Sequence, residues 1–135
     1  MAMSLTTSST DEPAIVARLQ AAMHPSTLPS RLRERGAALQ ARCLVGIGSQ
    51  RRLLIVDRGE VSMTTIARPL TPSNFSLLGS VAAWTAYWQP MPEPGWHDLL
   101  ALAKRGEITI EGDLLPFMTH LQFWKDLLAL PRAVQ

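Results

Sequence analysis

The sequence predicts an α+β fold, an antiparallel five-stranded sheet covered on one face by helices. Three observations predict it. From Leu39 to Ile47, apolar and other residues alternate with period two, the mark of a half-buried strand. Two turn signals, Gly48-Ser49-Gln50 and Asp57-Arg58-Gly59, separate that run from two further runs at hairpin spacing. Segments with helical periodicity flank the sheet region on both sides.

Taken in order, residues 1–11 read as a flexible tail and residues 12–135 as a single domain. Thr10-Asp11-Glu12-Pro13 reads as a helix start, with a capping side chain, early acids and a first-turn proline. Ile15, Val16, Leu19 and Met23 then share one face. A short helix is predicted from Pro29 to Arg35, closed by Gly36. The three meander strands begin at Leu39, Arg51 and Val61, the third running to Ala67. Pro69 to Ser73 reads as a loop and Asn74 to Val81 as a fourth strand. Ala82 to Trp88 reads as an aromatic helix, followed by the proline-rich loop Gln89 to Gly95. A helix from Trp96 to Lys104 ends at Gly106. Glu107 to Glu111 reads as a fifth strand. Asp113 caps one long final helix, Leu114 to Leu130.

Composition narrows the function classes. The chain has 135 residues, 47% hydrophobic and 18% charged, with a formal net charge of +2. That suits one globular core and excludes a disordered polyelectrolyte. Between Arg18 and Arg68 stand nine arginines and three acids, a local excess that would favour an anionic membrane surface or acidic head group. Arginines and tryptophans fall in different thirds of the chain, which argues against a nucleic-acid partner. The lone Cys43 permits no internal disulfide, so a reducing, cytoplasmic setting is expected. Signal-peptide and membrane-span patterns are not seen.

No motif of phosphate loops, nucleophile elbows or metal clusters is present, so no cofactor, metal or catalytic residue is assigned. His97 and Asp98 are neighbours in a helical pattern and point apart, which makes a His–Asp relay a poor reading. Asp98 reads instead as an acid near a helix N-terminus.

The order of elements resembles the sterol-carrier-protein-2 family. The resemblance rests on Asp57-Arg58-Gly59-Glu60-Val61 at the meander turn, on Asp98 to Gly106 as a helix ending in glycine, and on Ile108-Thr-Ile-Glu-Gly-Asp113. It covers about residues 12–130. It implies an SCP2-like fold and a non-catalytic lipid carrier, with the last helix and the sheet lining a tunnel for a fatty acid, acyl-CoA or sterol-like molecule. The expected ligand-binding residues are Trp84, Trp88, Trp96, Leu100, Phe117, Met118, Leu121 and Trp124. The stripe Leu114, Phe117, Met118, Leu121, Trp124 and Leu128 would face the tunnel. The longer aromatic segment, Trp84 to Trp96, would gate it. Alternatively the core is filled, and the same segment docks on a partner enzyme or on a second copy of the chain.

Overall fold

A computed structural model describes residues 2–65 and 73–134, with side chains from residue 12 onward. The chain builds five strands and six α-helices within those residues. Helix α1 (Ala2–Ala22) leads through a 3₁₀ turn at Pro25–Thr27 into α2 (Ser30–Arg35). The meander is β1 (Gln40–Ile47), β2 (Gln50–Asp57) and β3 (Glu60–Thr65). Then come β4 (Phe75–Gly79), α3 (Val81–Tyr87), α4 (Leu99–Lys104) and β5 (Ile108–Gly112). The chain finishes with α5 (Leu115–Thr119), α6 (Leu121–Ala129) and a 3₁₀ turn at Leu130–Ala133. Residues 69–72 of the predicted Pro69–Ser73 loop, and the end of the third strand at Ile66 and Ala67, lie outside the described residues.

The sheet order is β3-β2-β1-β4-β5. The all-antiparallel expectation needs correction. Three pairs are antiparallel, but β1 and β4 run parallel, with Cys43 opposite Phe75 and Val45 opposite Leu77. Strands β3 and β4 point the same way, so no hairpin can join them and the chain must cross over. Alternating apolar residues look the same in either pairing, which is why the pattern did not reveal the direction.

Register puts one apolar face inward. Cys43, Leu54 and Phe75 stand abreast on adjacent strands, with Val45 and Leu77 one step along. All five are 1% exposed or less. Ile15, Val16, Leu19 and Met23 of the first helical region bury against the same core, as their spacing predicts. The helix itself extends N-terminal of the expected start, and Pro13 lies inside it.

Two glycines set close approaches. Gly59 has φ +89 in the β2–β3 turn, and a Cβ there would run into the Arg33 carbonyl. The turn therefore packs on the backbone of α2, which only glycine permits. Gly112, at φ +102, lies against Asn74, whose carbonyl accepts the Asp113 N–H at 2.8 Å. Asp113 Oδ1 in turn accepts the Leu115 N–H at 3.1 Å, but the N-cap of α5 is Leu114, one residue beyond the cap that the sequence predicts.

Glu12 fastens α1 to the first hairpin. Its Oε1 accepts the Ser49 N–H at 2.6 Å and the Ser49 hydroxyl at 2.8 Å. The hydroxyl bond above all, then the amide bond, holds the carboxyl below its ordinary pKa of 4.5. A depressed folded-state pKa means this anchor is intact above the unfolded value and is lost as pH falls through the folded one. Glu12→Gln should therefore flatten the acid limb of a stability–pH curve below about pH 4.5 and leave the neutral limb's slope unchanged. Denaturant midpoints measured from pH 3 to 7 check this.

Candidate functional site

Four of the five aromatic residues expected to line a tunnel, Trp84, Trp88, Phe117 and Trp124, fill the core instead. Ser80 Oγ caps α3 by accepting the Ala83 N–H, and the helix then turns Trp84, Tyr87 and the following Trp88 inward. Trp84 and Trp88 are fully buried and stacked, with ring centroids 4.9 Å apart. Trp84 Nε1–H donates to the Gly46 carbonyl at 2.8 Å, and Trp88 Nε1–H to the Leu128 carbonyl at 2.7 Å. Each indole has its one polar atom satisfied inside the protein, as a structural tryptophan requires.

A second cluster joins the sheet to the C-terminal helices. Phe75 packs edge-on to Trp124 at 5.0 Å and beside Phe117 at 5.2 Å. Trp124 also meets Phe123 edge-on and donates to the Pro116 carbonyl. Phe117 and Trp124 are thus packed against neighbours rather than lining an open channel.

The single final helix is the other correction. His120 sits at φ −117 and ψ 39, outside helical values, and splits the segment into α5 and α6. A continuous 100° advance per residue across His120 therefore misassigns the face. Phe123 and Leu127 join Trp124 and Leu128 inside, while Leu114 and Met118 are 40% and 51% exposed. Leu115 is 70% exposed. Leu121 and Leu100 are half-buried against the core edge. Met118 is thus on the surface, not in a tunnel wall.

The open groove lies elsewhere, on the outer side of α3. It encloses about 520 Å³. Val81, Ala82, Thr85, Ala86 and Gln89 line it along the helix, and Glu93 and Trp96 line it from the proline-rich loop. Of the eight residues predicted to bind ligand, only Trp96 belongs to this wall. The groove residues were missed because alanines, a threonine and a valine on a helix's outer stripe carry no distinguishing pattern. The one usable sign was the loop itself, since proline and glycine hold it off the helix and leave space.

The groove's polar groups are mostly committed. Thr85 Oγ1–H donates to the Val81 carbonyl at 2.7 Å, and Gln89 Nε2–H to the Thr85 carbonyl at 3.1 Å. What remains for a ligand is Gln89 Oε1, the exposed Glu93 carboxylate and the second Gln89 Nε2–H. Arg105 stacks over Trp96, 4.9 Å from its ring centroid, and steadies the loop side.

His97 is exposed, and Asp98 is the N-cap of α4, accepting the Leu100 N–H and pairing with Lys125 at 3.2 Å. His24 Nδ1 belongs to a turn with Ser26. Burial pushes the Tyr87 hydroxyl up to about 12 and raises the Cys43 thiol, so both stay protonated and unreactive at neutral pH. Among the described residues, no group of His, Cys, Asp or Glu is placed to hold a metal. Nor is any helix of the described residues long and apolar enough to cross a membrane.

No protein-family model matches the chain, and no curated protein matches it. Solved structures do. A crystal structure of sterol carrier protein 2 aligns with TM-score 0.64 and 15% identity, over 88% of this chain and 96% of its own. The apo form of sterol carrier protein 2 from Yarrowia lipolytica aligns at 0.51 and 10% identity, over 86% and 88%. The ubiquinone synthesis protein UbiJ-SCP2 aligns at 0.51 and 15% identity, over 95% and 93%. The chain has the SCP2-like fold.

Proposed function

We propose that this SCP2-like domain, spanning residues 12–135, binds a long-chain apolar ligand without catalysis, and does so in the groove along α3. The observation that carries the reading is the groove's lining, largely apolar walls with a few polar side chains at a volume usual for ligand sites. Support for lipid carriage comes from the fold's likeness to sterol carrier protein 2 structures.

The lining also narrows the ligand. Glu93 repels a carboxylate or phosphate head, and Gln89 Oε1 offers an acceptor. An uncharged chain with a donating hydroxyl, a long-chain alcohol or sterol-like molecule, fits better than a fatty acid or acyl-CoA. Each methylene fully buried is worth about 0.8 kcal/mol, and an open groove delivers roughly half of that per methylene. A ten-carbon chain then grosses about 4 kcal/mol, which ordering costs reduce further, so the chain alone gives weak binding, about millimolar or weaker, and tighter binding needs a larger apolar body such as a sterol ring system.

A second reading is favoured by the filled aromatic core. In it the domain is an accessory subunit that docks on a partner enzyme, or on a second copy of itself, through segment 84–96. The exposed large hydrophobic residue of that segment is Met91, at 89%. Trp84 and Trp88 are excluded from such a surface by their burial.

Ala86→Trp tests the first reading. Ala86 is half-buried on the groove side, so the indole fills the groove without entering the core. Displacement of a fluorescent sterol by dodecanol should weaken at least tenfold in the variant, with an unchanged denaturation midpoint. Absence of probe binding to the parent protein, or equal binding to both, would overturn the groove assignment and leave the docking reading standing.

A further inference from the structure

We propose a second site, independent of the lipid reading: an anion-binding groove between α2 and the α6–3₁₀ segment that takes a phosphate ester. The groove encloses about 490 Å³. Three arginines line it, Arg31 and Arg35 from α2 and Arg132 from the C-terminal 3₁₀ turn. Its lining includes a single carboxylate, Asp126.

The two walls are brought together by Gly36. A Cβ at that position would collide with the Phe123 ring, so the end of α2 sits directly on α6. This is how Arg132 comes to share one groove with Arg31 and Arg35, about a hundred residues earlier in the sequence. Net charge in the lining is positive by two, which favours a dianion over a single carboxylate.

The three arginines differ in readiness. Arg132 is fixed. Its guanidinium lies over the Tyr87 ring, 4.5 Å from the centroid, and Nε–H donates to the Tyr87 carbonyl at 2.8 Å. Its Nη2 is shut off from water and has no hydrogen-bond partner. Arg132 is therefore a fixed positive charge in the groove wall, and the donors free to turn toward a phosphate belong to Arg31 and Arg35. Arg35 is held only by a 3.4 Å pair with Asp126, both side chains about half exposed. Such a pair is weak and exchanges readily for a stronger anion. Arg31 is exposed and without a partner carboxylate among the described residues.

The floor explains why the anion should carry an organic part. Leu32 and Leu130 underlie the charged rim, so an ester with a short apolar arm gains contacts that free phosphate lacks. The phosphate could belong to a soluble ester or to a lipid head group, and the two are separable by experiment.

The parent protein and an Arg31→Gln/Arg35→Gln double variant are titrated with hexyl phosphate and followed by amide chemical shifts. They are then floated with phosphatidylcholine vesicles, with and without one-fifth phosphatidic acid. Both arginines are exposed, so the double variant should keep its fold. Hexyl phosphate should shift residues 29–35 and 122–133, binding at least tenfold more weakly to the double variant, and doubling the salt should weaken the parent's binding further. Flotation that needs phosphatidic acid and the two arginines identifies the lipid source. Hexyl phosphate binding without flotation identifies a soluble ester. No shifts in the parent, or equal affinity in parent and double variant, would overturn the site.

Discussion

Trp88→Ala should destabilise the protein by about 3–5 kcal/mol, the range for removing a buried large aromatic side chain. Trp88 is fully buried, stacks on Trp84 at 4.9 Å, and donates to the Leu128 carbonyl at 2.7 Å. The alanine leaves a cavity between α3 and α6 and strands that carbonyl at the helix end, an added penalty of about 1 kcal/mol or more. A lid or docking tryptophan would behave in the opposite way. Its loss would weaken ligand or partner binding and leave the unfolding midpoint alone. Denaturation followed by far-ultraviolet circular dichroism distinguishes them, and a loss under about 1 kcal/mol would return Trp88 to the gate role. Conservative Trp88→Phe should recover part of the stability through packing but not the indole bond.

This contrast shows what was legible in the sequence. Period two at Leu39 to Ile47 and the glycine turns are local signals, and each is read correctly because its cause is local. Gly59 and Gly112 require positive φ, and Asp113 accepts the Leu115 N–H just ahead of the α5 N-cap. The parallel β1–β4 pair was not legible because pairing direction is decided by a crossover, not by the strand's own residues. The candidate site was less legible still. Trp84, Trp88 and Trp124 looked functional because they are large and clustered, yet each indole N–H closes on a backbone carbonyl contributed by another part of the chain. Those carbonyls have no sequence signature. The break at His120 had the same consequence for α5, exposing Leu115 and Met118 where an unbroken helix would place Met118 on the inner stripe. Conversely, the α3 groove consists of ordinary surface residues, and only the loop opposite them makes a concavity.

Arg18→Met should cost about 2–4 kcal/mol, the second largest effect expected. The guanidinium gathers three carbonyls from two distant segments. Nε–H donates to Val134 O at 3.0 Å, and Nη2 donates to Trp88 O at 2.7 Å and to Pro131 O at 2.9 Å. Hydrogen bonds with one charged partner are worth about 1.5–3 kcal/mol each, but three on one group are not additive, so the total stays below their sum. Methionine keeps much of the apolar stem and removes only the fork, which isolates the polar contribution. Lysine at this position offers one compact ammonium in place of a planar fork and should recover less than half. The damage should be local before it is global. Hydrogen exchange should speed up first at Val134, whose N–H bonds Pro131 O inside the tethered 3₁₀ turn, while amides of β1 and β2 keep their protection. Because Arg132 sits in that same turn, its stacking on Tyr87 should loosen in the variant, and hexyl phosphate affinity should fall even though Arg18 does not line the phosphate groove. Unchanged affinity with faster exchange at Val134 would mean that Tyr87 alone holds Arg132 in place, and that the tether serves only the C-terminus.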